Sequence, residues 1–492
     1  MKLPKIRFDL SKVILLALLV VFLPLLAYYF LTIITGVKIL YSILYSLTCT
    51  VILFEVLCAV LIKQPSLQEL KNKQVDFSVK HNVRELYQAP KKISVIIAAY
   101  LPNEKDIIVE TLYHFLLNLK YPSEYEIILA YNTPKRLEVE TQLQIMSQHF
   151  SHLRVIKVEG STSKAENLNA AINVASGEMI ALFDADHRPT FEDTFDRAWH
   201  WIANGYDVVQ GRCTIRNYKD TIISSLVAVE FEVIYGLCHE ARSILTNTAI
   251  FGGSNAYWRA ETLRLVKFNK NQLTEDIDAT LRLLTRGYKL IHDRTIIATE
   301  EAPTTFMSWW RQRKRWNQGW FECTLKYQKK MNKCRYLRKR QKIYWFYTLI
   351  YREVFSLISL QLLALIALQF LIGEEYTLSN SAQLLLDFSF FYTILTSWIT
   401  TFGAVVIKSQ PYGFKVFLTH LIASIPYTLC KMIITLVAWY DHIARETSWV
   451  VTPRTHKQKR FRETTQTVLL QSDGKYTSLV VADQESQGEF RI

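Results

Sequence analysis

The sequence predicts a mixed, mostly parallel α/β domain inserted between α-helical membrane segments. Three observations carry that prediction. Apolar runs of membrane-spanning length gather at both ends of the 492-residue chain, and residues 63–342 between them are polar and mixed. Within that middle stretch, short β-branched runs alternate with amphipathic ones, the pattern of strands connected by helices into a largely parallel sheet.

At the N-terminal end, residues 13–35 and 39–62 contain no basic residue and a single acid, Glu55. Each is long enough to cross a hydrocarbon core of about 30 Å as a helix. The first run exceeds the apolar core of a signal peptide and a second follows at once, so both read as retained spans. Lys2, Lys5 and Arg7 precede the first, which places the N-terminus in the cytoplasm, and with two crossings the polar middle returns there. Further apolar stretches occupy 353–372, 383–407 and 414–440. EEYTLSN after the first of these reads as external, and KSQPYGFK after the second as internal. The last stretch has bases on both flanks and Pro426 at its middle, so it is expected to be broken, re-entrant or interfacial, leaving the tail in the cytoplasm. The alternative is a fifth crossing with an external tail.

The net charge of +14 is concentrated. From Cys323 to Lys342 there are nine Lys or Arg residues and no acid, and residues 454–462 (RTHKQKRFR) are similar. Beside apolar spans such runs read as anchors on anionic lipid rather than as a nucleic-acid surface. The seven cysteines show no paired spacing, so neither a disulfide framework nor a zinc site follows, and they read as reduced.

In the middle stretch ISVIIAA (93–99) is a buried strand ending in YLPNE, followed by Ile107, Leu112, Phe115, Leu116 and Leu119 at helical spacing. YEIILAY (125–131), LRVIKV (153–158), the helix SKAENLNAAINVA (163–175) and EMIALFD (178–184) continue the alternation. In such sheets ligands sit beyond the carboxyl ends of the strands.

Four clusters can carry chemistry, and each has a plain structural alternative. In ALFDADHRPTF, Asp184 and Asp186 stand two apart, so on a persisting strand both carboxylates project to one side, where a hard cation would find oxygen ligands. The alternative is the polar end of a strand, with His187 as a hydrogen-bonding loop residue. Lys164 opens a helix after STS, where free N–H groups and a full charge suit phosphate, or where a capped surface helix simply begins. LTEDIDATLRLL offers Thr274 as a cap with Glu275, Asp276 and Asp278 in the first turn, favourable for the helix dipole or, for one of them, as a general base. WWRQRKRWNQGW (309–320) reads as an interfacial Trp/Arg helix or as a donor of Arg to phosphates and of a Trp face to a sugar.

The order YLPNE, SKAENLN, FDADH, TED, QRKRW between membrane spans closely resembles the processive family-2 membrane glycosyltransferases, among them cellulose, hyaluronan and poly-N-acetylglucosamine synthases. The resemblance covers residues 90–320 strongly and the membrane helices by arrangement. It implies a nucleotide-sugar-binding domain of the glycosyltransferase-A type and an inverting transfer from a UDP-sugar, UDP-glucose being preferred, to a growing β-linked polysaccharide. A single transfer to a membrane lipid, or a polymer built from UDP-GlcNAc, is the alternative; a transporter or scaffold with vestigial motifs is a further reading. By resemblance Ala99, Tyr100, Glu104 and Asn132 border the nucleotide, Lys164 approaches its diphosphate, Asp184 contacts the uridine and Asp186 binds Mg2+ or Mn2+. Asp276 is the general base. Gly253 and Ser254 of FGGSN, Glu275, Gln312 and Trp316 line the acceptor side, and Arg315 faces the leaving diphosphate. WVVTPR (449–454) resembles a gating loop that brings Thr452 and Arg454 to the nucleotide. Two departures stand out: YLPNE interposes two residues where the family has Tyr-Asn-Glu, and Asn132 occupies an ordinarily acidic position.

The expected plan is two N-terminal spans (1–62), a linker (63–90), the glycosyltransferase domain (91–325), a basic interfacial region (326–352), membrane or interfacial helices (353–443) and a cytoplasmic gating-like segment with a loosely ordered tail (444–492). The expected setting is a plasma membrane with the catalytic domain inside, in contact with membrane lipids and not with nucleic acid.

Overall fold

The structure, a computed structural model, describes residues 35–62, 88–356, 380–446, 465–472 and 475–482. The first expected span, the linker to residue 87, most of the 353–372 stretch and the WVVTPR segment with Thr452 and Arg454 lie outside the described residues. The chain divides into two compact units, residues 1–453 and 454–492.

The first unit is built on an eight-stranded sheet in the order β3-β2-β1-β4-β7-β6-β8-β5. Its parallel half consists of β1 (Lys92–Tyr100), β2 (Glu124–Asn132), β3 (Leu153–Lys157) and β4 (Met179–Asp184). In the other half β7 (Ala256–Arg259) runs antiparallel to both β4 and β6 (Val208–Ile215). Beyond them β8 (Leu290–Glu300) pairs parallel with β6 and antiparallel with the short β5 (Arg188–Pro189). The sheet is thus mixed, with its first four strands parallel, as the alternation of strands and helices predicts.

The strand sequences explain the layering. KISVIIAAY is buried along nearly its whole length, as a parallel strand covered on both faces should be. Its alternate residues enter different cores. Ile96 and Ala98 join Ile128, Ala130, Ile180 and Leu182 under helices α4 (Lys164–Val174), α7 (Ala260–Val266) and α8 (Glu275–Arg286). Val95, Ile97 and Ala99 face the other way, against α2 (Ile108–Leu117), α3 (Val139–His149) and α5 (Thr194–Ala203). Because β1 has β2 on one side and β4 on the other, the order 3-2-1-4 places a topological switch at the carboxyl ends of β1 and β4.

A third core joins this domain to apolar helices. It contains Val56 and Ala59 of α1 (Thr35–Leu61), Cys213 and Ile215 of β6, Trp309 of α9 (Phe306–Lys333), Ala404 of α11 (Asn380–Val406) and Tyr427 of α12 (Phe414–Ile443). At its centre lies α6 (Ile222–Thr246), a helix that the sequence reading passes over. Among the described residues four helices are long and apolar enough to cross a membrane: Ile39–Leu61, Ile222–Thr246, Leu384–Val406 and Phe414–Ile443. A π-helical turn, Glu232–Cys238, interrupts α6. There Gly236 lies so close to the Arg212 guanidinium that an added Cβ would stand 2.8 Å from its Nη2, and Arg212 forms a buried ion pair with Glu232.

Two expectations are corrected. The 414–440 stretch is not broken: α12 runs without interruption through Pro426. A proline costs one backbone hydrogen bond, and here burial of one face against α6 and α9 outweighs that local loss. Both ends of α12 meet the same domain. Just before it, Tyr412 packs edge-on against Tyr218 at 4.7 Å and Gln410 donates to Thr214 at 3.3 Å. At its far end Asp441 pairs with Lys314, and Gln318 donates to the Glu446 carbonyl at 2.9 Å. The tail also contains regular structure. The second unit holds an antiparallel pair, β9 (Thr465–Ser472) and β10 (Lys475–Ala482), with Thr465 opposite Ala482 and Ser472 opposite Lys475.

Candidate active site

The carboxyl ends of β1, β2 and β4 open beside the N-termini of α4 and α8. Ser163 caps α4 by accepting the Glu166 N–H at 3.2 Å, which leaves Lys164 as the first helical residue, aimed toward the strand ends. Its ammonium donates to the Gly253 carbonyl at 2.9 Å, forms a short ion pair with Asp184 and lies 3.6 Å from Glu275. Burial alone would lower the Lys164 ammonium, but Asp184, Glu275 and Asp276 outweigh it and hold it above its usual range.

Asp276 stands in the first turn of α8, with its Oδ1 accepting the Ile277 N–H at 2.8 Å. Burial, and then the neighbouring Glu275 charge, push its carboxyl up to about 7, against the lowering influence of Lys164, the Ile277 N–H and Arg315. The three acids of LTEDIDA therefore divide. Asp278, two residues on, is fully buried and occupied by Lys326 and Tyr327 at 2.7 Å each and by Arg282 at 2.7 Å. It clamps α9 to α8, whereas Asp276 faces the strand ends.

The FGGSN loop fits closely over this group. Gly253 has φ +87°, and a Cβ there would stand 3.2 Å from Asp276 Oδ2 and 3.5 Å from Lys164 Nζ. Only glycine takes that backbone conformation readily and leaves the space open. Ser254 is buried, and its hydroxyl accepts the Asp184 N–H at 3.0 Å, so its side chain fixes the end of β4.

Asn132 is likewise engaged with its own scaffold. It donates to the Ser161 carbonyl at 2.9 Å and accepts from Asn167 at 2.8 Å, while Asn167 also donates to the Ala99 carbonyl at 3.2 Å. Asn167, within SKAENLN, was not singled out by sequence, yet it ties the ends of β1 and β2 to α4. Glu104 is buried in the short helical turn after β1 and accepts from Asn103 at 3.0 Å; Tyr100 ends β1 half-buried, opposite Asn132 in register.

Asp186 is buried beyond β4. Its Oδ2 accepts the Glu301 N–H at 3.2 Å, and its Oδ1 lies 3.2 Å from His187 Nδ1. On the other side of the imidazole, His187 Nε2 is 2.6 Å from Glu300 Oε2, with Cys213 close by. Burial would lower His187, but Glu300 and Asp186 raise it well above the ordinary histidine range, and its ring lies between their two carboxylates. His187 and Glu300 are in ion-pair contact at 2.6 Å, and with Cys213 they place ligand atoms within 4.8 Å of one another. Asp184 and Asp186 offer the hard oxygen donors that suit Mg2+ or Mn2+, but β4 ends at Asp184 and does not persist to Asp186: the Asp184 carboxylate turns to Lys164, and that of Asp186 is buried against His187 and the Glu301 N–H.

The QRKRW element lies on α9. Gly319 of this helix rests on the α8 cap: a Cβ there would come within 2.5 Å of Thr274. Arg315 acts on Asp276 through its charge. Trp316 and Gln312 converge on Arg313, whose guanidinium stands 4.2 Å above the Trp316 ring and donates to Gln312 Oε1 at 2.7 Å. The structure thus brings Lys164, Asp184, Gly253, Glu275 and Asp276 together directly, with Arg315 reaching Asp276 by its charge.

Residues 179–442 match the family model described as Glycosyl transferase family group 2. The chain is similar to a protein named "Probable glycosyltransferase YdaM" from Bacillus subtilis (strain 168), 25% identical over 250 residues, covering 49% of this chain and 57% of that protein. It is also similar to a poly-beta-1,6-N-acetyl-D-glucosamine synthase of Staphylococcus epidermidis, 26% identical over 246 residues, 50% of this chain and 58% of that one. The chain therefore spans little more than half the length of these relatives. Among solved structures, the mannosyltransferase PcManGT from Pyrobaculum calidifontis, in complex with GDP-Man and Mn2+, superposes with a TM-score of 0.50 and 19% identity, covering 76% of this chain and 95% of that one. That likeness identifies the fold as the glycosyltransferase-A type.

Proposed function

The chain belongs to glycosyl transferase family group 2, and from that premise we propose that it transfers a sugar, with inversion, from a UDP-sugar to the end of a growing β-linked polysaccharide at a membrane. The observation that carries this reading is the convergence of Lys164, Asp184, Gly253, Glu275 and the half-buried Asp276 at the carboxyl ends of the strands, where the Asp276 carboxyl is pushed up to about 7. A general base needs a pKa near the working pH and a place facing the reacting hydroxyl. Asp276 accepts the proton of the acceptor hydroxyl as its oxygen attacks the anomeric carbon, and the bond from that carbon to the diphosphate oxygen breaks. Lys164 and Arg315 meet the negative charge that gathers on the departing UDP. Asp186, with Asp184 beside it, would hold Mg2+ or Mn2+, which when bound supplies further positive charge to the diphosphate. Ala99, Tyr100, Glu104 and Asn132 border the nucleotide, and the resemblance of WVVTPR assigns Thr452 and Arg454 to nucleotide binding as well. Gly253, Ser254, Glu275, Gln312 and Trp316 form the acceptor side, Ser254 acting through the Asp184 backbone.

Two donors stand first for testing. FDADH and WVVTPR favour UDP-glucose, and the named relatives favour UDP-GlcNAc. On this reading residues 91–325 are the catalytic domain and face the cytoplasm from a plasma membrane. The contacts at both ends of α12 support a helix lying along the cytoplasmic face of the membrane. The test is product analysis with the purified full chain in lipid nanodiscs and labelled UDP-glucose or UDP-GlcNAc. A water-soluble or precipitating polymer is expected; label confined to a chloroform-soluble lipid would contradict polymer formation.

A further inference from the structure

Three helices distant in sequence meet at one buried carboxylate. Glu230 of α6 is 5% exposed, and its oxygens receive Arg313 of α9 at 2.6 Å, the Tyr427 hydroxyl of α12 at 2.7 Å and Lys431 of α12 at 2.7 Å. The Tyr427 hydroxyl in turn accepts the Trp309 indole N–H at 2.8 Å. Arg313 therefore works in two directions. One edge of its guanidinium is held by Glu230, while the rest donates to Gln312 and covers the Trp316 ring.

We infer that Glu230, Arg313, Tyr427 and Lys431 form a positioning cluster through which the apolar helix α12 sets Gln312 and Trp316 for the acceptor sugar. The acceptor role rests on the function proposed above; the cluster is observed directly. Its cost argues for such a role. Buried ion clusters are commonly less stabilising than apolar side chains of the same volume, and Arg313 Nε has no hydrogen-bond partner. None of the four residues lies among those expected to touch nucleotide or metal, so their effect should fall on the acceptor alone. A fixed guanidinium over Trp316 also keeps the indole in one orientation, as a sugar-stacking ring requires.

The test uses the full chain in nanodiscs with Tyr427→Phe, Lys431→Met and Lys431→Arg, assayed with UDP-GlcNAc and UDP-glucose and with β-linked oligosaccharides of each sugar. Tyr427→Phe and Lys431→Met are expected to raise the acceptor KM about tenfold, the loss of one hydrogen bond to a charged group. Donor KM and acceptor-free hydrolysis of the UDP-sugar should stay unchanged, and Lys431→Arg should restore the wild-type acceptor KM. The Trp316 component of the fluorescence, obtained by subtracting Trp316→Phe, should shift to the red in the first two variants. Donor and acceptor constants worsening together, or an unmoved Trp316 emission, would overturn the inference. A wild-type chain that transfers no sugar would count against the proposed function instead, and the Trp316 emission would then decide the positioning cluster.

Discussion

Asp276 concentrates the chemistry of this chain in one carboxyl group. Because its pKa is raised to about 7 and it must be unprotonated to accept a proton, kcat/KM should rise with pH through that region. Glu275 is among the charges that raise it, so Glu275→Gln should move the acidic limb of the pH profile to lower pH. A limb that stays in place would separate Asp276 from the titration. Gly253→Ala is expected to lower activity strongly, since its Cβ would press on Asp276 in a backbone region that costs roughly 1–3 kcal/mol for a residue other than glycine. Kinetics beside a thermal melt would distinguish that local effect from unfolding. At this scale the sequence was informative about Lys164, Asp184, Gly253, Glu275 and Asp276, because helix starts and strand ends write their chemistry locally. It was silent on Asn167 and Arg313, whose roles come from partners on other elements.

The elements hold these residues through close backbone approaches. Gly319 lets α9 rest directly on Thr274 at the cap of α8. Gly319→Ala should therefore cost roughly 1–3 kcal/mol by overpacking and lower the melting temperature, and an unchanged melt would show that the two helices are not pressed together. A bulge in β8 between its pairings with Gly211 and Arg212 releases Arg294, which donates to the Ala59 carbonyl at the end of α1. Helix α6 escaped the sequence reading because Glu230, Glu232, His239, Glu240 and Arg242 interrupt its apolar face; all are buried, and Glu230, Glu232, Glu240 and Arg242 pair across the fold with Arg313, Arg212, Arg294 and Thr348. Pro426 misled in the opposite sense: read alone it breaks a helix, yet lateral packing carries α12 through it. The tail hairpin was visible in principle, since Asp473-Gly474 stands between two runs rich in β-branched residues.

The molecule as a whole joins a glycosyltransferase-A domain to apolar helices through a shared core, and the placement of α12 decides on which side the tail begins. Gly413 and Ala444 flank this helix; Ala444 is exposed and a Cβ at Gly413 meets nothing within 4 Å. With Gly413→Cys and Ala444→Cys, a membrane-impermeant maleimide should label both from the side of the catalytic domain. Labelling from opposite sides would make α12 a crossing helix. The alternation of strands and helices made the sheet legible, as did the apolar runs for α1 and α11. Mutual placement of α6, α9 and α12 was not, because it depends on ion pairs spanning much of the chain.

Comparing wild type with Asp276→Asn, purified in nanodiscs, for UDP release and product formation from UDP-glucose and UDP-GlcNAc tests the proposed chemistry most directly. Loss of the base should reduce both by about 10²–10⁴-fold while nucleotide binding and the melting temperature stay near wild type. UDP release and polymer formation unchanged in Asp276→Asn would contradict it.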